Sequence, residues 1–349
     1  MKMGLFYLFL AAVLCWHVVA AQSPKRELRA PWMATVWSRD WPDSYSESGA
    51  KAQMSKYLDA FARHNFTGIF FQVRGFADAL YTSSHEPWSA ILTGTRGKNP
   101  GWDPLEWLVA ECHARGLECY AWVKPYLISI SSAPFTTAYD RQWQNDGWVL
   151  TNGTYTVFNP GHPDANAHTL EVIKEIYNNY DVDGMVFDDF FYPNGGISEG
   201  VDAPDYDLYL NSGTSLSIGD WRRENVNRFM KLVCDNIQAD RPDMRFGISP
   251  AGVSYKSASK YGLAKPLVSA LDWQYDEIYS DPLAWLANGS VDFIAPQIYW
   301  KTNHPTAPFG PLTRWWASTA DHFGRHFYAS HSITCLLYTS DAADDRISV

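Results

Sequence analysis

Val182-Asp183-Gly184-Met185-Val186-Phe187-Asp188-Asp189-Phe190-Phe191-Tyr192-Pro193 is the stretch around which the chain reads. Gly184 to Phe187 has the apolar run of a buried strand, and it ends on two adjacent carboxylates followed by three aromatics and a proline. Two acids side by side on an apolar segment repel and lose hydration, so one of them is expected to carry a raised pKa, the condition a general acid needs near neutral pH. A solvated turn after an edge strand would also place two acids together. The aromatics that follow favour the functional reading, because they offer an apolar platform of sugar size that a turn does not need.

Outward from this strand, short apolar runs alternate with amphipathic ones, the pattern of a parallel sheet with helical crossovers. Strands are expected at 31–37, 68–74, 117–126, 184–187, 245–249, 291–299 and 326–330. Helices are expected at 51–64, 104–115, 165–180, from behind Ser217 to about 239, 282–287 and 312–323. The long connections, 75–102, 127–163, 194–216 and 251–280, all follow strands, whereas helix-to-strand connections are a few residues. That asymmetry is what a (β/α)8 TIM barrel shows, with function on the loops at the strands' C-terminal ends. An open doubly wound sheet is the alternative, but no glycine-rich phosphate loop follows the first strand.

Side chains alternate along a strand, so polar residues of one parity should converge on the barrel mouth. These are Gln72 and Arg74, then Trp122, Lys124 and Tyr126, Ser249, and Gln297 with Tyr299. Met185 and Phe187 suit the helix-facing side, which turns Asp188 inward and leaves Asp189 at the rim. Arg74 reads equally as a structural partner of Asp188 or Asp78. Trp300, Trp315 and Trp316 read as packing residues. No G-x-S-x-G elbow and no H-E-x-x-H spacing occurs, so carboxylate chemistry without metal or cofactor is expected.

The chain has 349 residues with 46% hydrophobic and 15% aromatic content, enough for one barrel-sized domain or two smaller ones. A formal charge of −10 argues against nucleic acid and anionic membranes as partners. Residues 1–21 read as a secretory signal, with Lys2, an apolar run from Gly4 to Leu14, and Val19-Ala20-Ala21 before Gln22. No further membrane-length run follows, so an exported protein, periplasmic or extracellular, is expected. Cys335 to Asp345, C-L-L-Y-T-S-D-A-A-D-D, has the look of a translated sequencing adapter. On that reading 335–349 is an artefact, the domain runs 22–334, the chain is cut after strand seven, and 22–349 expressed alone is expected to aggregate. Cys112, Cys119 and Cys234 then remain, an odd number without C-x-x-C spacing that suggests neither a disulfide framework nor a zinc site.

Seven stretches, in order, resemble the glycosyl-hydrolase-like family 10 group: R-A-P-W-M-A-T-V-W at 29–37, F-Q-V-R-G-F-A-D-A-L-Y at 71–81 with E-P-W-S at 86–89, A-W-V-K-P-Y at 121–126, F-N-P-G-H-P at 158–163, F-D-D-F-F-Y-P at 187–193, F-G-I-S-P-A-G-V at 246–253 and A-P-Q-I-Y-W at 295–300. The resemblance implies a (β/α)8 barrel that hydrolyses glycan strands, with peptidoglycan the expected polysaccharide. Lys124 stands where asparagine is expected and Leu127 where arginine is expected. Adjacent carboxylates are too close to flank a glycosidic bond from opposite sides, where separations of about 5 to 9.5 Å are usual, so substrate assistance by an N-acetylhexosamine is the economical mechanism. By analogy with similar barrels, Asp188 orients the 2-acetamido group and Asp189 protonates the leaving oxygen. A two-carboxylate mechanism would instead recruit Asp78, Glu86 or Asp272. Substrate contacts are assigned to Arg74, Asp78, Trp88, Lys124, Tyr126, Asn159, Tyr192, Ser249, Gln297 and Tyr299. A non-catalytic glycan-binding barrel stacking sugars on Trp88, Tyr126, Tyr192 and Tyr299 is the alternative.

Overall fold

The computed structural model of the chain describes residues 27–131 and 137–332. The expected signal and the adapter-like tail lie outside them. Seven strands form one parallel sheet in sequence order: β1 (Trp32–Met33), β2 (Gly68–Arg74), β3 (Glu118–Val123), β7 (Gly184–Phe187), β8 (Arg245–Ile248), β9 (Phe293–Ile294) and β10 (His326–Phe327). The crossovers carry α1 (Glu47–Arg63), α2 (Pro104–His113), α4 (Pro163–Asn179), α6 (Ile218–Asp240), α8 (Pro282–Ala287) and α9 (Phe309–His322).

The helix starts are written locally. Ser46 and Ser217 cap α1 and α6 through their side chains, while Asp103 precedes Pro104 at the first position of α2. Gly116 and Gly324, both in the left-handed region, end the turns after α2 and α9.

The sheet is curled. Phe70 of β2 lies 6.2 Å, centroid to centroid, from Phe293 of β9, four strands further along the sheet order. Tyr120 of β3 joins both rings at 5.1 and 6.1 Å. With Val186 and Ala295 these residues fill the inside of the curl, whereas Met185, Phe187, Ile69 and Phe71 belong to the larger core beneath the helices. The alternation expected for Gly184 to Phe187 is therefore the observed one. Glycine on the inward face makes room for the rings: a Cβ on Gly184 would lie 2.4 Å from Tyr120, and one on Gly247 would lie 2.2 Å from Phe293. Among the described residues β1 and β10 do not pair with each other.

Several expected strands are shorter than their apolar runs, the first and the sixth most of all. The first stops at Met33 because the Gln72 side chain takes over as partner: its Oε1 accepts from the Thr35 and Val36 N–H groups at 3.0 Å each, and the chain then turns through Trp37 and Ser38 at positive φ. In the expected strand 291–299, Pro296 has no N–H to give, so regular pairing ends at Ile294 and survives beyond it as the isolated bridges of Gln297 with Ala251 and Ser330.

The connection 127–163, expected to be a loop, contains structure. An antiparallel sheet of β4 (Leu127–Ile130), β5 (Val149–Thr151) and β6 (Tyr155–Phe158) stands beside α3 (Ala138–Asn145). The turn signal was present in Asn152-Gly153: Asn152 Oδ1 accepts from the N–H groups of Thr154 and Tyr155, and Gly153 takes φ 91°. Two further short helices, α5 (Tyr206–Asn211) and α7 (Trp273–Glu277), lie in the other long connections.

Candidate active site

Above the aromatic layer, the next inward residues of the strands meet at the C-terminal mouth. Asp188 follows β7 directly and is 4% exposed. Its Oδ2 accepts from Trp122 Nε1 at 3.1 Å and lies 3.4 Å from Lys124 Nζ. Its Oδ1 is buried and has no hydrogen-bond partner among the described residues. Burial raises the Asp188 pKa, while Lys124 and Trp122 oppose the rise. Asp189, half-buried at the rim, is pushed up to about 7, first by burial and then by the charge of Asp188, with Lys124 pulling the other way. The Gln297 side chain hydrogen-bonds Asp189 and also donates from Nε2 to the Ser249 carbonyl at 2.9 Å. Tyr299, 43% exposed, is tied to Ser330 and feels the charge of both acids. Asp188, Asp189, Lys124, Ser249, Gln297 and Tyr299 are thus brought together.

Arg74 serves this site from behind. Its partner is Glu86, rather than Asp188 or Asp78: Nε and Nη2 meet the two Glu86 oxygens at 2.7 and 2.5 Å, with both side chains fully buried. The remaining Nη1 donates to the Lys124 carbonyl, so the guanidinium fixes the backbone from which Lys124 reaches Asp188. Burial by itself would raise the Glu86 pKa, but Arg74 and His168, the latter 3.5 Å away, hold it down at about 2.

Four assigned substrate contacts fall elsewhere. Tyr126 and Tyr192 are fully buried, with the Tyr126 hydroxyl donating to Asn166 Oδ1 at 2.7 Å and Tyr192 packed on Tyr279 at 5.0 Å, so neither has a ring face for a sugar. Their apolar bodies were worth more to the core than to the mouth. Asn159 is buried and shapes its own turn by accepting from Gly161 N at 2.9 Å. Trp88 packs a half-buried ring onto the core and pairs its backbone with Ala79. Leu127, where the family resemblance implies arginine, is fully buried in β4.

Of the three acids that a two-carboxylate mechanism would use, each is already engaged. Glu86 is locked to Arg74, Asp78 pairs with Arg96 at 3.4 Å, and Asp272, fully buried, accepts from the N–H groups of Tyr255 and Lys256 at 2.6 and 2.8 Å. No group of three or more His, Cys, Asp or Glu is placed to hold a metal ion among the described residues, and no described helix is long and apolar enough to cross a membrane.

Sequence reasoning passed over Trp37. This ring is 67% exposed and lines a cavity of about 240 Å³ that Asp78 also lines. The signal that would have found it is local only in part: a bulky residue forced to φ 54° just beyond a strand is visible in coordinates alone.

A curled parallel sheet of seven strands with helical crossovers and a carboxylate pair at its C-terminal end is an α/β half-barrel. The chain belongs to the Glycosyl hydrolase-like 10 family, which it matches over residues 27–333. It is similar to the glycosyl hydrolase YngK of Bacillus subtilis strain 168, with 35% identity over 309 residues that cover 87% of this chain and 60% of the relative. Glycosyl hydrolase DigH of Escherichia coli K12 is 35% identical over 315 residues, 85% of this chain and 71% of the relative. The chain therefore spans less than three quarters of the length of these two relatives. In fold it is similar to the PgaB (BpsB) glycoside hydrolase domain of Bordetella bronchiseptica, with TM-score 0.53 at 12% identity over 86% of this chain and 82% of that one. A Paenibacillus cycloisomaltooligosaccharide glucanotransferase gives TM-score 0.53 at 14% identity, over 89% of this chain and 39% of the other.

Proposed function

We propose that the protein is a glycosidase that cleaves N-acetylhexosamine-containing glycan strands, with peptidoglycan the natural polymer of an exported protein, and that Asp188 and Asp189 carry the reaction. The observation that supports this most is the division of labour within the pair. Asp189 holds its proton up to about pH 7, whereas Asp188 faces an ammonium and an indole N–H and presents one unpartnered oxygen.

In a substrate-assisted sequence, the Asp188 carboxylate accepts the acetamido N–H and aligns the acetamido oxygen behind the anomeric carbon. Asp189 donates its proton to the leaving glycosidic oxygen as that bond breaks and the oxygen–carbon bond of the cyclic intermediate forms. The Asp189 carboxylate then takes a proton from the water that opens the intermediate, restoring the acid.

Peptide-free peptidoglycan strands incubated with the protein should yield new reducing ends by mass spectrometry. Asp189→Asn should slow their appearance by about 10²- to 10⁴-fold, the usual contribution of a general acid. Cleavage by the variant at the wild-type rate would remove Asp189 from the chemistry, and binding without any cleavage by the wild type would make this a glycan-binding barrel.

A further inference from the structure

The cavity of about 240 Å³ that Trp37 lines has Val36, Ile91, Ile128 and Ile130 on its apolar side. Trp37 has φ 54° and ψ 28°, and Ser38 after it has φ 50°. Two successive L-residues in the left-handed region are unfavourable, the first of them bulky, and such strain collects at ligand sites. Here it holds an indole two-thirds exposed to solvent, 5.4 Å from the Phe76 ring, where burial would otherwise have drawn it in.

The polar side of the cavity is electrostatically one-sided. Among the described residues, Asp78 and Asp140 face it with a single cation, Arg96. That guanidinium has nothing left to give: Nε and Nη2 bond Asp140 at 3.1 and 2.8 Å, Nη1 and Nη2 bond the Phe76 and Ala77 carbonyls at 3.0 and 2.8 Å, and Nη1 stands 3.4 Å from Asp78. Its five donors are spent on the protein. An anionic sugar entering would meet net negative charge and no free donor from Arg96, while an uncharged one would meet aliphatic walls suited to a methyl group and a ring suited to a pyranose face.

From this we infer that the cavity is a second sugar subsite that takes an uncharged N-acetylhexosamine unit, its acetamido methyl among the isoleucines and its ring on Trp37, and excludes units bearing a carboxylate. The inference rests on the reading of the protein as glycan-acting. The cavity lies at the same C-terminal end of the sheet as the acids: Gly75 on its wall follows Arg74, the last residue of β2, and Arg74 holds the carbonyl of Lys124, which faces Asp188.

Binding is measured on the full chain carrying Asp189→Asn, by calorimetry and tryptophan fluorescence, with chitopentaose and with a galacturonic acid pentamer. Chitopentaose should bind saturably, and the uronate at least tenfold more weakly. Adding Trp37→Gly should weaken chitopentaose binding at least tenfold with no loss of melting temperature, because glycine suits φ 54°, and Trp37→Tyr should restore it to within about threefold. Equal binding of the two oligomers, no binding of chitopentaose, or unchanged binding after Trp37→Gly overturns the inference. The last result leaves the cleavage assay on the wild-type protein free to succeed, so the two readings fail separately.

Discussion

Lys124 Nζ sits 3.4 Å from Asp188 Oδ2 and 3.9 Å from the centre of the Phe190 ring, so one buried ammonium is shared between a carboxyl group and an aromatic face. Its charge opposes the rise of both acids' pKa values. Replacing it with a neutral residue, Lys124→Asn, should let each carboxyl hold its proton to higher pH. Both limbs of the pH–rate profile then move upward, by about one unit at the low end for a lost opposite charge. A profile that keeps its alkaline limb in place would show that Lys124 does not govern the acid.

Asp189 makes the folded state weaker at neutral pH than it would be with an amide there. Its folded pKa is about 7, above the unfolded value. The unfolded chain therefore sheds this proton first as pH rises, and stability falls between about pH 4 and pH 7, then stays level. Asp189→Asn should raise stability by a few kcal/mol at pH 7, on the order set by about 1.4 kcal/mol per pKa unit, and by little at pH 4. Urea denaturation at the two pH values checks this, and an equal effect at both would count against it.

Glu86 behaves in the opposite sense. Its folded pKa is lowered to about 2, so its contribution is complete above the unfolded carboxylate pKa and is lost as pH falls toward 2. Glu86→Gln leaves the Arg74 guanidinium buried without its counter-charge, which should cost about 3 to 5 kcal/mol at neutral pH. The gap between variant and parent should narrow on acidification. Because Arg74 also holds the Lys124 carbonyl, the variant should lower the rate on glycan strands by more than the unfolded fraction accounts for.

Gly184→Ala puts a methyl 2.4 Å from Tyr120 and 2.8 Å from the Arg245 carbonyl. One neighbour is a ring packed among Phe70 and Phe293, the other is backbone, so neither yields easily. The variant should lose about 1 to 3 kcal/mol or more, read as a lower denaturant midpoint. Pairing it with Tyr120→Leu should recover part of the loss, because the obstructing ring atoms are then gone.

Val182 to Pro193 shows where local pattern was sufficient. Alternation about Gly184 to Phe187 could only put Asp188 on the inward side, and the helix caps at Ser46, Asp103 and Ser217 mark boundaries through hydrogen bonds made within three residues. Helix 282–287 is found where its apolar run and Pro282 place it. The hairpin of β5 and β6 was missed: only its turn has a local signal, Asn152-Gly153, and strands of three and four residues carry too few alternations to announce themselves.

What the sequence by itself determined is the order of the seven parallel strands and their crossover helices, the inward face of those strands, and the adjacency of Asp188 and Asp189, because these follow from covalent connectivity and from periodicities of two and 3.6. Partner choice was decided only by the tertiary structure. Arg74 took Glu86 from twelve residues away, Tyr126 and Tyr192 were drawn into the core, and Trp37 was left in solvent at a strained φ. Burial and charge pairing depend on which surfaces the curled sheet and its loops enclose, and no residue's own chemistry states whether it will be enclosed.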